Sequence, residues 1–267
     1  MIMIGIIGGT GVYDIVDKAD SMRKEDVETE YGNVEVSILN IDGKNVAFLP
    51  RHSAGHSYPP HKINYKANIS ALEKLGVSEI IATNSVGSLN EDIGPGAFVI
   101  VDDFIDFTVL RDKTFFDDSV VHTDMTEPYC NRLREILIST GDVVPNGTYV
   151  CTEGPRFETP AEIRMFKKMG GDVVGMTGLP EVVLAREKNM CYSSICIVSN
   201  YGAGISPDKL SMEEVLDIMN DKSSELLDLI YNTVKKLNDT CECDCSSQWK
   251  NERLWIKFFI KECWFLF

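Results

Sequence analysis

Residues 1–11, MIMIGIIGGTG, decide how the fold begins. The apolar run has no basic residue before it and breaks into glycines at once, which is typical of a first β-strand and not of a signal peptide. The glycines form a turn whose backbone N–H groups can face an anion, with the Thr10 hydroxyl beside them. A purely structural tight turn is equally consistent, because neither the dinucleotide fingerprint nor the P-loop pattern is complete here.

Apolar, β-branched runs alternate with helical patterns along the rest of the chain. Strands are predicted at 3–8, 46–49, 79–83, 98–101, 148–152, 173–176 and 192–199. Helices are predicted at 64–75, 128–139, 160–169, 180–187, 211–220 and 221–237. Thr159 and Glu162 have the spacing of a capping box. The alternation predicts an α/β fold, a mixed and twisted β-sheet covered by helices.

The domain organisation is predicted from where the composition changes. No repeat or linker interrupts residues 1–237, which we expect to form a single domain. Residues 238–267 form a Cys- and aromatic-rich tail, which is too short and too interrupted by Lys for the roughly 20 apolar residues that span a bilayer. In the tail, Cys241, Cys243 and Cys245 leave open a disulfide or a zinc site, although their spacing is unlike that of standard zinc fingers.

Charge and cysteine usage limit the partners and the compartment. The chain has 41 Asp and Glu against 26 Lys and Arg, a formal net charge of −15. We therefore predict no nucleic-acid or membrane partner, and an anionic ligand must meet a local cationic pocket. Cys130, Cys151, Cys191 and Cys196 lie singly in apolar or helical stretches, which is typical of buried reduced thiols and favours a cytoplasmic protein.

Polar residues follow several predicted strands. These residues are Arg51, His52, Asn84, Ser85 and Thr177. Because the carboxyl ends of parallel strands meet at one edge of a sheet, and Arg offers two donors to a phosphate, their convergence with Thr10 predicts an anion site. Each hydroxyl taken alone is more often a turn or cap residue. A metal site at His52, His56 and His61 is not expected. The residues between these histidines are not compatible with a helix, which would place ligands at i and i+4 on one face.

Two other segments carry groups suited to a flat heterocycle. Phe157 can stack on a ring and Glu158 can accept an N–H, while Asn200 can donate and accept together. The alternative for 157–158 is a plain loop before a helix.

Six segments together resemble the purine nucleoside phosphorylase and methylthioadenosine phosphorylase family of trimeric α/β enzymes. In order along residues 1–237 they are GGTG, PRHSAGHSYPPHKINYKANI, TNSVGSL, EGPRFETPAE, GMTGLPEVVLARE and SNYG. The resemblance implies phosphorolysis of purine ribonucleosides, with inorganic phosphate as co-substrate and no cofactor. It also implies a homotrimer, with a dimer of trimers as the alternative.

The resemblance further implies individual roles. It implies phosphate contacts from Thr10, Arg51, His52, Asn84, Ser85 and Thr177. It implies contacts to the nucleoside from Phe157, Glu158, Met176, Asn200, Tyr201 and Gly202, and from His122 of a neighbouring subunit at the sugar. Asn200 and His52 are the expected catalytic residues, since the leaving purine gains negative charge as the sugar becomes oxocarbenium-like.

The resemblance also bears on specificity. Adenine-specific members carry aspartates at the positions of Asn200 and Gly202, whereas an Asn amide with Glu158 matches O6 and N1 of a 6-oxopurine. Relatives that act on inosine place a histidine where Met212 stands, and Met212 with Leu216 favours a methylthio group. We therefore expect S-methyl-5′-thioinosine as substrate.

Four alternatives remain open. Met212 could serve helix packing alone, and the enzyme could be a general inosine/guanosine phosphorylase. Outside that class, a nucleoside hydrolase or a non-catalytic nucleoside-binding protein would share the fold.

Overall fold

The computed structural model describes residues 3–9, 12–53, 57–207, 211–238 and 243–247. Ten strands form one sheet: β1 Met3–Gly8, β2 Ser21–Thr29, β3 Gly32–Ile41, β4 Lys44–Pro50, β5 Val77–Ser88, β6 Phe98–Ile100, β7 Asp103–Asp106, β8 Thr148–Cys151, β9 Val173–Gly175 and β10 Cys191–Tyr201. Five α-helices surround it: α1 Tyr65–Lys74, α2 Asn131–Ile138, α3 Pro160–Lys168, α4 Glu181–Glu187 and α5 Met212–Lys236. The predicted α/β class is confirmed.

The sheet is mixed, as predicted. Its main path is β2-β3-β4-β1-β5-β9-β8-β7, and β10 pairs with β5 and β6. Strands β4, β1, β5 and β10 are parallel neighbours, with Gly8 opposite Pro50 and Gly87 opposite Asn200. Their carboxyl ends therefore meet at one edge, where the predicted polar residues follow them.

Helices cover both faces of the sheet and bury three apolar clusters. One includes Ile69 of α1 and Leu184 of α4, and another includes Leu133 of α2 and Ile230 of α5. The third and smallest includes Phe166 of α3. The central strands are buried almost throughout, which explains why their apolar runs lack alternation. The capping box of α3 is present as predicted, since Thr159 accepts from the Glu162 N–H and Glu162 returns the bond.

Three strands and one helix differ from the prediction. The hairpin β2–β3 and the short β7 were not predicted. Strand β2 is charged and largely exposed, so its sequence does not show the apolar run of a buried strand. It is ordered by its pairing with β3, which in turn pairs with β4. The break predicted at 220–221 is wrong, since α5 is continuous over Met212–Lys236. The helix stays continuous because Met219, Leu226 and Ile230 pack into a buried cluster. This packing outweighs the modest helix propensity of the polar residues between them.

The cysteines also differ from the prediction. Cys130 and Cys191 do not lie singly, because the chain returns after α5 and brings Cys243 and Cys245 against them. Cys151 and Cys196 are buried thiols, as predicted. Cys241, His56 and residues 248–267 lie outside the described residues, and the division at residue 237 stays a prediction. Among the described residues, no helix combines the length and the apolarity that a membrane span needs.

Candidate active site

A cavity of about 370 Å³ opens at the carboxyl edge of the parallel strands. That volume is within the usual range for sites that bind small molecules, roughly 300–1,000 Å³. The structure brings together on its walls the predicted residues Arg51, His52, Ser85, Phe157, Glu158, Met176, Thr177, Asn200, Gly202 and Met212. Groups from distant loops thus share one space.

Arg51 and the glycine turn meet at one end of this cavity. The Arg51 backbone N–H donates to Gly8 O at 3.0 Å, and its Nη1 donates to Thr83 O at 2.6 Å. A Cβ built at Gly9 would lie 3.1 Å from Nη1, so a side chain at this position would crowd the guanidinium. Thr10, the next residue of the turn, lies outside the described residues.

Glu181 is the partner of Arg51, and the sequence analysis missed it. Nε and Nη2 of Arg51 donate to the two carboxylate oxygens at 2.7 Å, and the Tyr192 hydroxyl donates to Oε1 at 2.7 Å. Burial opposes the Arg51 charge, but Glu181 raises the pKa of Arg51 above its usual value. The Nε–Nη2 fork of Arg51 is therefore occupied by Glu181.

Asn84, which is also expected at the anion, is not among the residues that line the cavity and is bonded to Thr177. Its Nδ2 donates to Thr177 Oγ1 at 2.7 Å, and its Oδ1 accepts from Ser194 Oγ at 2.7 Å. Asn84 is buried and lies behind the cavity wall, because β10 brings Ser194 against it. Since Thr177 Oγ1 accepts here, its own hydrogen can donate into the cavity.

His52 lies beside Arg51 with a fixed ring. Its Nδ1 is 2.8 Å from Tyr58 O, and because a carbonyl oxygen only accepts, the proton of this bond sits on Nδ1. The ring is buried. Because Nδ1 is bonded to Tyr58 O, any interaction between the ring and a ligand in the cavity would involve Nε2.

The opposite part of the cavity offers donors and acceptors for a heterocycle. Asn200 Oδ1 accepts from Ser199 Oγ at 2.8 Å and its Nδ2 donates to Tyr201 O at 2.8 Å, which leaves one lone pair and one hydrogen. Glu158 Oε1 accepts from Thr152 Oγ1 at 2.6 Å. The Tyr201 hydroxyl is 3.5 Å from Glu91 O and does not line the cavity, so any contact from Tyr201 comes from its backbone.

The first turn of α5 forms an apolar wall. Met212 and Val215 line the cavity, whereas Leu216 is 48% exposed and is not part of the lining. Val215 lies at i+3 from Met212, on the same helix face. The contact expected from Leu216 stays a prediction. His122 is exposed in the segment between β7 and α2 and does not line the cavity of its own chain.

Comparisons with known proteins agree with this geometry. The chain matches the profile of the Phosphorylase superfamily over residues 3–235. It is 57% identical over 244 residues to a probable S-methyl-5′-thioinosine phosphorylase of Methanothermobacter thermautotrophicus, covering 91% of this chain and 87% of the relative. It is 49% identical over 260 residues to the 6-oxopurine nucleoside phosphorylase of Pyrococcus furiosus, covering 92% of this chain and 97% of the relative.

A solved structure shows the same fold. The methylthioadenosine phosphorylase from Schistosoma mansoni in complex with adenine has a TM-score of 0.86 and 33% identity to this chain. The match covers 96% of this chain and 98% of the other.

Proposed function

Because the chain belongs to the Phosphorylase superfamily, we propose that it is a pentosyltransferase that cleaves purine ribonucleosides with inorganic phosphate. The preferred reaction is S-methyl-5′-thioinosine plus phosphate to hypoxanthine plus 5-methylthioribose 1-phosphate. One observation carries the proposal: Arg51, the Asn200 amide and the apolar Met212 line a single cavity. Phosphate is a co-substrate, and no cofactor is required.

The proposed chemistry assigns one end of the cavity to each reacting group. Arg51, Ser85 and Thr177 hold phosphate, one of whose oxygens forms the new bond to C1′. The bond from C1′ to N9 breaks, its electron pair passes to the purine, and the purine takes up one proton, which in the overall balance is the one that phosphate loses. The free Nδ2 hydrogen of Asn200 stabilises the growing negative charge at O6, an interaction that strengthens only as the transition state is approached. Met176 packs against the ribose.

A 6-oxopurine is favoured by the polar groups at the base end. The free hydrogen of Asn200 Nδ2 can donate to O6, and the half-buried Glu158 carboxylate can accept from N1. Phe157, 43% exposed, provides a ring for stacking. Adenine carries an amino group, N6, in place of O6, so its N–H would face the free hydrogen of Asn200 Nδ2. Two donors that face each other cost binding energy in a partly desolvated site.

A methylthio group is favoured by the wall of α5. The side chains of Met212 and Val215 are apolar, so a 5′-hydroxyl packed against them would lose its water without gaining a partner from them. The general inosine/guanosine phosphorylase remains the second candidate. It is supported by the similarity to the Pyrococcus relative.

One set of assays tests both ends of the substrate. Release of base is measured for methylthioinosine, inosine, guanosine and methylthioadenosine, with and without phosphate. We expect kcat/KM for methylthioinosine to exceed that for inosine by about tenfold or more, and Met212→His to narrow the ratio. A preference for inosine contradicts the substrate, base release without phosphate indicates a hydrolase, and binding without turnover indicates a non-catalytic protein.

The proposed active form is a homotrimer in which His122 reaches the sugar end of a neighbouring site. The segment that carries His122 also exposes Val109, Leu110 and Val120, each at least 78% exposed in the single chain, as an interface would require. A dimer of trimers is the alternative. The cytoplasmic location stays a prediction.

A further inference from the structure

Four cysteine thiols meet on the side of the molecule away from the cavity. Cys130 precedes α2, Cys191 begins β10, and Cys243 and Cys245 follow α5. All four Sγ atoms lie within 4.8 Å of one another. Cys130, Cys191 and Cys245 are buried and Cys243 is half-buried.

We propose that these four thiols bind one zinc ion as a closed structural site. Zn–S bonds of about 2.3 Å in a tetrahedron place the sulfurs about 3.8 Å apart. Cys130 Sγ is 3.8 Å from Cys243 Sγ, and Cys191 Sγ is 3.1 Å from Cys243 Sγ. Both distances are far longer than the roughly 2.05 Å of a disulfide.

The contacts surround one point and do not form two separate pairs. Cys130 interacts with all three other thiols of the group. Four soft sulfur ligands in tetrahedral reach select Zn²⁺ over Mg²⁺ or Ca²⁺, which prefer oxygen. On binding, each sulfur donates an electron pair to the ion and each thiol loses its proton to the solvent. No oxidant or reductant takes part.

A buried cation beside the thiols fits the charge of such a site. Four thiolates and Zn²⁺ together carry a net charge of about −2. Arg186 is 5% exposed, and its Nε and Nη1 have no hydrogen-bond partner among the described residues. Arg186 interacts electrostatically with Cys245, one of the four thiols. Groups that form hydrogen bonds with the metal ligands are the usual outer shell of such sites.

The ion would act on stability and not on catalysis. With all four ligands from the protein, no position is left for water or substrate. Cys191 and Asn200 stand near opposite ends of β10, about 30 Å apart at roughly 3.3 Å per residue. The ion would tie the chain after α5 to the starts of β10 and α2. This inference is independent of the proposed function.

Metal content of the full chain tests the site. Protein is purified with a thiol-compatible reductant, incubated with Zn²⁺, passed over a desalting column and analysed by mass spectrometry for zinc. We expect about one zinc per chain in the native protein and in the control Cys151→Ala, which removes a buried thiol elsewhere. The double variant Cys243→Ser/Cys245→Ser should retain less than about a tenth of that.

A second measurement does not depend on any variant folding. Cobalt(II) in place of zinc in the native chain should give the intense visible bands of a tetrahedral site and a thiolate-to-cobalt charge-transfer band. Adding zinc should remove both. The proposal is overturned if neither metal stays bound or if the cobalt spectrum is octahedral. It is also overturned if the native chain has, before reduction, a mass lower by four hydrogens than after reduction, which would show two disulfides.

Discussion

At the scale of single residues, Arg51 owes its position to a group far away in the sequence. Its guanidinium is 1% exposed and Glu181 is fully buried, so each charge depends on the other for compensation. Removing one partner of such a pair is much more costly than removing an exposed ion pair.

Glu181→Gln tests this dependence. We expect the free energy of unfolding to fall by about 3–5 kcal/mol, because a buried guanidinium loses its counter-charge. KM for phosphate should rise by about tenfold or more as the guanidinium loses its orientation. Urea unfolding and initial rates measure the two effects. The control is Glu91→Gln, which breaks the exposed pair with Lys167, and equal effects in both variants would contradict the argument.

Asn200→Asp tests the base specificity. The carboxylate cannot donate to O6, so we expect kcat/KM for methylthioinosine to fall by about 10²-fold or more and activity on methylthioadenosine to rise relative to it. Steady-state rates on both nucleosides give the ratio. The control is Asn220→Asp, which adds the same charge at an exposed position away from the site. If Asn200→Asp left the ratio of kcat/KM for the two nucleosides unchanged, Asn200 would not determine the base specificity.

At the scale of elements, the start of α3 is fixed by local chemistry next to the site. Glu162 closes the capping box with Thr159 and is paired with Arg156 at 2.7 Å. This arrangement holds in place the loop that carries Phe157 and Glu158.

Thr159→Ala should lower the free energy of unfolding by about 1 kcal/mol, because the Glu162 backbone N–H loses its side-chain acceptor. Urea unfolding at neutral pH measures the change. Since Phe157 and Glu158 precede the cap, KM for the nucleoside should rise more than KM for phosphate. The same rise in both would contradict this assignment.

The pH dependence of this helix start has a definite sign. Hydrogen bonds from Arg156 first, and then from Thr159, lower the pKa of Glu162 to about 2. A lowered pKa stabilises the folded chain above the usual value of 4.5, and that contribution is lost as the pH falls toward 2. The difference in Tm between the native chain and Glu162→Gln should therefore shrink between pH 5 and pH 2. A difference that grows on acidification would be inconsistent with this sign.

At the scale of the whole molecule, the proposed trimer can be tested by mixing inactive subunits. His122→Ala and Asn200→Ala should each lose most activity. If His122 acts on a neighbour, unfolding and refolding the two variants together in equal amounts gives about a quarter of sites with both native residues. Activity of the mixture is compared with that of each variant refolded alone. If the mixture is no more active than the two variants refolded alone, taken together, His122 does not act in the site of a neighbouring subunit.

The sequence by itself determined the class of fold and the edge of the sheet that carries the site. Apolar runs, helical spacing and the capping box at Thr159 are local patterns, and local physics sets them. The carboxyl ends of parallel strands gather by the geometry of the sheet, so Arg51, Ser85 and Thr177 were expected together. The strand order brings the ends of the parallel strands to one edge, and these three residues line one cavity.

Only the tertiary structure decided which residues are partners. Glu181 lies 130 positions from Arg51, Ser194 lies 110 from Asn84, and Cys243 lies 113 from Cys130. No local periodicity encodes contacts over such separations, because they depend on how whole strands and helices pack. Burial then requires each charge or polar group to find a partner, and the packing selects which one is within reach.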